Sequence, residues 1–128
     1  MRNRFTAVVA IATLAFALAG CQLIPRDLLG TWTKNDAGNI LTVTFEGKSI
    51  SLGQTSPAGS ISFSVEAADS EARHIDSTVT GSAGAFSGYT AGDVYYWYYE
   101  LRPDGLYFMY APVAYPPAAT SGPFTQVQ

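Results

Sequence analysis

The sequence predicts an all-β protein, a small antiparallel up-and-down barrel or meander, set behind an N-terminal leader. Three observations point there. After residue 21, apolar residues alternate with Ser and Thr at period two, while the i, i+3, i+4, i+7 spacing of an amphipathic helix is absent over any useful window. Gly and Pro clusters punctuate those alternating stretches. The chain beyond residue 20 has about 108 residues, enough for one core and too few for two.

The leader comes first. Arg2 and Arg4 precede an apolar run from Phe5 to Ala17, too short to cross ~30 Å of hydrocarbon comfortably, and small residues close it. Residues 1–20 are therefore expected to be a signal peptide. Leu18-Ala19-Gly20-Cys21 resembles the lipobox of bacterial lipoproteins. That resemblance implies lipidation of the Cys21 thiol with diacylglycerol and cleavage just before it. The chain has one cysteine, so no disulfide partner competes for the thiol. Each buried acyl methylene contributes roughly 0.8 kcal/mol, and more than one chain anchors a domain stably without a span.

Residues 21–28 are expected to form the lipidated tether, held open by Pro25 and reaching only about 25 Å. Gln22 stands where many Gram-negative lipoproteins carry a residue other than Asp. The resemblance implies an envelope protein on the outer membrane, facing the periplasm if the host is Gram-negative. Without Arg2 and Arg4, five basic side chains (Arg26, Lys34, Lys48, Arg73, Arg102) face ten acidic ones, a net charge of −5. Such a domain is a poor partner for nucleic acid or for anionic lipid surfaces.

Residues 29–128 are expected to be a single β domain. Gly30-Thr31-Trp32 opens the first strand. In Asn39 to Gly47, Leu41, Val43 and Phe45 point one way and Thr42, Thr44 and Glu46 the other; Gly47-Lys48 then turns the chain. Ile50 and Leu52 alternate with serines in the next strand, as do Ile61, Phe63 and Val65 in the one after it. Residues 54–60 between them read as a loop because of Pro57 and Gly59. A fainter strand surrounds Ile75 and Val79. Residues 81–92, with Gly81, Gly84 and Gly88, read as a mobile connection at a barrel mouth; no Lys follows those glycines, which excludes a phosphate-binding loop.

Residues 93–112 read as a hairpin. Arg102-Pro103-Asp104-Gly105 suits a type I turn with a glycine bulge, which would oppose Arg102 to Leu106, Tyr99 to Met109 and Trp97 to Ala111. Tyr96, Tyr98, Glu100, Phe108 and Tyr110 would then share the other face. Either one face is core and the other a wet tyrosine-clad exterior, or one face lines a cavity or platform for a ligand. Pro112, Pro116, Pro117 and Pro123 exclude a central strand until after the last of them. Phe124 to Val127 then either closes the sheet against the first strand or lies on the surface as a polyproline-like arm.

A Gly-x-Trp opening a small β domain, here Gly30 and Trp32, resembles the lipocalins and related calycins. The resemblance implies an up-and-down barrel with Trp32 packed across one end and a ligand-binding function; the final strand has no basic residue of the kind lipocalins pair with that Trp. Residues 89–97, with Leu41 to Leu52 upstream, also resemble the small lipoprotein inhibitors of lysozyme. That likeness implies a protein-interaction role through the aromatic hairpin, with Ser87 matching the inserted serine, Gly88 where that family has a basic side chain, and no disulfide.

The expected function is non-catalytic binding by Trp32, Tyr96, Trp97, Tyr98, Phe108 and Tyr110, with a small apolar ligand, a glycan or an envelope protein as partner. A ligand carrier predicts an enclosed cavity lined from Phe45, Phe63 and the hairpin; a partner binder predicts a filled barrel and an exposed aromatic patch. His74 is the one histidine, with Asp76 two residues on, and spacing singles out no nucleophile, so no enzyme and no cofactor are expected. Asp69, Glu71, His74 and Asp76 match no metal-ligand spacing and read as a solvated loop.

Overall fold

The computed structural model describes residues 23–128; the leader and Cys21 lie outside the described residues. Eight strands follow in chain order, β1 (Gly30–Asp36), β2 (Asn39–Glu46), β3 (Ser49–Thr55), β4 (Ala58–Asp69), β5 (His74–Gly84), β6 (Val94–Arg102), β7 (Gly105–Ala111) and β8 (Ser121–Gln126). Each pairs antiparallel with the next, and β8 returns to β1 through Trp32↔Gln126 and Thr33↔Thr125. The result is a closed up-and-down barrel, which leaves no free sheet edge.

The period-two pattern decides what lies inside. Val43, Phe45, Ile50, Leu52, Ile61, Phe63, Val65, Ile75 and Val79 all point inward and are buried, while the serines and threonines between them, Ser77 excepted, face out. An apolar interior with a polar wall is the reverse of a membrane-spanning barrel. No described helix is long and apolar enough to cross a membrane.

Aromatic rings complete the filling. Phe63 meets Trp97 edge-on at 5.1 Å, Trp97 stacks on Tyr110 at 4.7 Å, and Phe108 lies 5.0 Å from Phe124. The buried Ser77 hydroxyl donates to the Tyr95 carbonyl (3.1 Å) and accepts from the Trp97 indole N–H (2.8 Å). Among the described residues no buried side-chain nitrogen or oxygen lacks a partner.

One end of the barrel is plugged by the segment expected to be an open tether. After Pro25 the chain makes a 3₁₀ turn over Arg26–Leu28, and Ile24 and Leu28 enter the core at 1% and 0% exposure. Trp32 packs there too, its indole N–H donating to the Leu28 carbonyl at 2.9 Å. Burying an aliphatic side chain contributes about 1.5–3 kcal/mol, so two of them hold so short a segment in place. Two isolated aliphatics have no period by which a sequence reading could find them.

The hairpin register also differs from the expected one. β6 and β7 pair Arg102↔Gly105, Leu101↔Leu106, Tyr99↔Phe108 and Trp97↔Tyr110, a connection of two residues rather than three. Gly105 has φ +145°, and a Cβ there would run into the Phe124 carbonyl on β8, so this glycine serves the neighbouring strand as well as the turn. The one-residue shift regroups the side chains. Trp97, Tyr99, Leu106, Phe108 and Tyr110 share the inner face, while Tyr96, Tyr98, Tyr107 and Met109 share the outer one.

Two expected loops are partly strand. Of residues 54–60 only Ser56-Pro57 forms the turn; Asn39 Oδ1 accepts from the Thr55 and Ser56 amides, and Gln54 Nε2 donates to the Pro57 carbonyl. β5 runs through Gly81 to Gly84 because Gly84 pairs with Gly59, and a Cβ on either would collide with the backbone opposite. β8 likewise begins before Pro123, which lies at the irregularity between the Leu106↔Phe124 and Phe108↔Ser121 pairs, where a missing amide is tolerated.

Candidate functional site at the tyrosine mouth

The end opposite the plug is bounded by the tight β1–β2 and β3–β4 turns and by two longer connections, residues 85–93 and 112–120. The first connection is pinned by its own backbone. Ala85 N–H donates to the Ala58 carbonyl, Tyr89 to Phe86, and Gly92 to Val79, while Val79 N–H donates to the Asp93 carbonyl. Ser82 Oγ adds a bond to the Tyr89 carbonyl at 2.8 Å. The connection read as mobile is a folded cap.

That cap delivers Tyr89 to the mouth, where it meets the last inward-facing residues of β6 and β7. Tyr89, Tyr95 and Tyr110 have ring centroids 5.4 to 6.3 Å apart. The Tyr89 and Tyr110 hydroxyls share a hydrogen bond of 3.4 Å, and Phe63 and Trp97 support the cluster from below. Burial, then the bond to Tyr89, pushes the Tyr110 phenol far up; burial, with Tyr89 and Asp93 nearby, raises Tyr95 as well. Tyr95 and Tyr110 are therefore neutral phenols at physiological pH.

Two open depressions flank these rings. One of about 330 Å³ is lined by Ala85, Gly88, Tyr89, Tyr95, Tyr110 and Pro112. The other, about 310 Å³, is lined by Tyr89, Phe108, Met109, Tyr110 and Ser121. Charge is scarce here. Among the described residues, Lys34, Asp36 and Asp93 lie toward the mouth, while Arg26, Glu46, Lys48, Asp69, Glu71, Arg73, Glu100, Arg102 and Asp104 gather toward the plugged end. A third depression, about 420 Å³ between β1 and β2 at the plugged end, has Phe45 as its one aromatic liner, and that ring is buried.

The six expected binding residues fall in three places. Trp32, Trp97 and Phe108 are core, at 7%, 1% and 4% exposure. Tyr96 and Tyr98 stand half-buried on the outer wall, and Tyr110 reaches the mouth, where the buried Phe108 also lines one depression. Tyr89 and Tyr95 escaped the sequence reading as site residues. Tyr95 was findable from its parity with Trp97, but Tyr89 enters only through the folded cap. The interior expected of a carrier is occupied, since Phe45 and Phe63 are buried among other side chains.

His74 lies elsewhere, on the outer wall near the plugged end. The 112–120 connection folds back so that Tyr115 stacks on the His74 ring at 3.7 Å, donates its hydroxyl to Asp76 Oδ1 and meets Tyr96 edge-on. The Asp76 bond, with some burial, pushes the Tyr115 phenol up to about 12. A depression of about 130 Å³ there is lined by Ala67, Ala68, Asp69, His74, Asp76 and Tyr115. No group of three or more His, Cys, Asp or Glu able to hold a metal occurs among the described residues.

A scan against protein-family models and searches of curated proteins and of solved structures found no match.

Proposed function

We propose that the protein is a lipid-anchored bacterial envelope lipoprotein whose barrel is a non-catalytic binding domain that works at its mouth rather than in its interior. One observation carries the binding part: aromatic and aliphatic side chains occupy the core, yet three tyrosines at one end stay partly accessible beside two depressions. The volumes lie at the lower end of the ~300–1,000 Å³ usual for ligand pockets. The anchoring part is supported by Leu18-Ala19-Gly20-Cys21 and by a barrel wall too polar to sit in lipid. Outer-membrane attachment facing the periplasm is the placement that Gln22 favours.

A second reading, docking of a protein such as a lysozyme-like enzyme, has one observation in its favour. Tyr96, Tyr98 and Met109 form an outward stripe on the β6–β7 hairpin, and Ser87 is exposed beside the mouth.

The test has two parts. Metabolic labelling with a palmitate analogue is expected to mark the protein and to fail in Cys21→Ser; an unlabelled protein that keeps its leader overturns the anchoring. Purification from native membranes in mild detergent, followed by mass spectrometry of what accompanies the chain, should recover a small molecule that Tyr89→Ala loses and Tyr96→Ala keeps. A co-purifying protein lost only in Tyr96→Ala overturns the mouth in favour of the stripe.

A further inference from the structure

We infer that the tyrosine mouth is a saccharide site, taking a neutral pyranose ring against the faceted cluster of Tyr89, Tyr95 and Tyr110; this deepens the binding reading above and rests on it. Ring centroids 5.4 to 6.3 Å apart mean that the three rings touch one another. With their planes inclined 47° to 75° to one another they form a close-packed, faceted floor without gaps, so no quaternary ammonium fits between them as cation–π recognition requires. A ligand must lie on the floor.

Charged ligands find no counter-charge on that floor. Its lining is Ala, Gly, Tyr, Pro, Phe, Met and Ser, and Asp93 is the nearest carboxylate named by its electrostatic effect on Tyr95. An ionised group leaving water there would not be repaid. Acyl chains are poorly served as well. Both depressions are open to solvent and shallow over filled aromatic packing, so most of a chain's methylenes would stay wet.

A neutral sugar meets every condition. Its axial C–H face is apolar and suits the face of a single tyrosine ring, while its equatorial hydroxyls need donors and acceptors at the rim. The Tyr89 and Tyr110 hydroxyls, Ser121 and the exposed Ser87 and Thr90 supply them. Two depressions sharing Tyr89 and Tyr110 would seat neighbouring rings of one chain, so a short oligosaccharide is expected to bind better than a monosaccharide. The floor is preorganised, because the cap's backbone bonds and the Trp97–Tyr110 stack hold it before any ligand arrives.

The experiment uses the full lipoprotein in detergent, titrated with cellohexaose, maltohexaose and N-acetylchitohexaose while tyrosine and tryptophan fluorescence is followed. Binding of at least one is expected, stronger than its monosaccharide and unchanged by added salt, since no ion pair is involved. Tyr89→Ala should weaken it roughly three- to ten-fold, the size of one aromatic stacking contact, Tyr89→Phe less, and Tyr96→Ala on the outer wall not at all. If no sugar binds but a naphthylamine probe does so through Tyr89, the saccharide is wrong while the binding domain stands. Sugar binding that ignores Tyr89→Ala, or no binding of any probe, overturns the inference outright.

Discussion

The two ends of the barrel are closed in opposite ways. At one end Ile24, Leu28 and Trp32, brought from a short stretch of chain, bury aliphatic and indole surface, and the turns around them are dense with charge. At the other, two long connections leave tyrosines half-wet, and charge is almost absent. Charged turns hold their water, so a neutral partner docking there would meet the cost of stripping it, whereas the neutral end retains accessible aromatic area that solubility alone would disfavour. The contrast separates the part that holds the fold from the part free to bind.

The largest expected effect tests the plug. Leu28→Ala removes a fully buried side chain and should cost about 2–5 kcal/mol in urea denaturation, whereas Tyr89→Ala at the mouth should cost clearly less. Equal losses would erase the distinction between a structural end and a functional one. An intermediate effect is expected between the ends. Ser77→Ala strips the Trp97 indole of its acceptor and should cost about 1–3 kcal/mol, lowering Tm while leaving any Tyr89-dependent ligand bound. Loss of binding at full stability would mean that the mouth depends on this pair directly.

The smallest effect is one of pH. Because the Tyr115 phenol is raised from its ordinary value of 10 to about 12, its bond to Asp76 is fully present below pH 10 and fades as pH rises through 12. Difference ultraviolet titration of the protein against Tyr115→Phe should show one phenol with a midpoint near 12. A midpoint near 10 would show that the 112–120 connection is not held to the wall by this contact.

Much of the fold was legible in the sequence, for a physical reason. A sheet with one dry face writes its period into the chain, and Leu41 to Phe45, Ile50 to Leu52 and Ile61 to Val65 all state it locally. What escaped depends on partners distant in sequence. Gly105 reads as a turn residue, yet Phe124 on β8 also demands a glycine there. Gly59 and Gly84 read as breakers but permit each other's close approach within the sheet. The site was half legible: the aromatic richness of residues 95–110 was plain, but one step of register decides which rings face inward, and Tyr89 reaches them only over a folded cap.

If residue 21 carries the proposed lipid, the seated Ile24 would set the protein's posture. With a lipid on residue 21, just Gln22 and Leu23 separate the acylated position from a side chain locked inside the barrel, a leash of roughly 10 Å. Nine-residue β6, tilted as barrel strands are, rises about 20–25 Å. The charged rim would therefore stand among the headgroups, and the tyrosines would be held aloft at a nearly constant height, aimed away from the lipid.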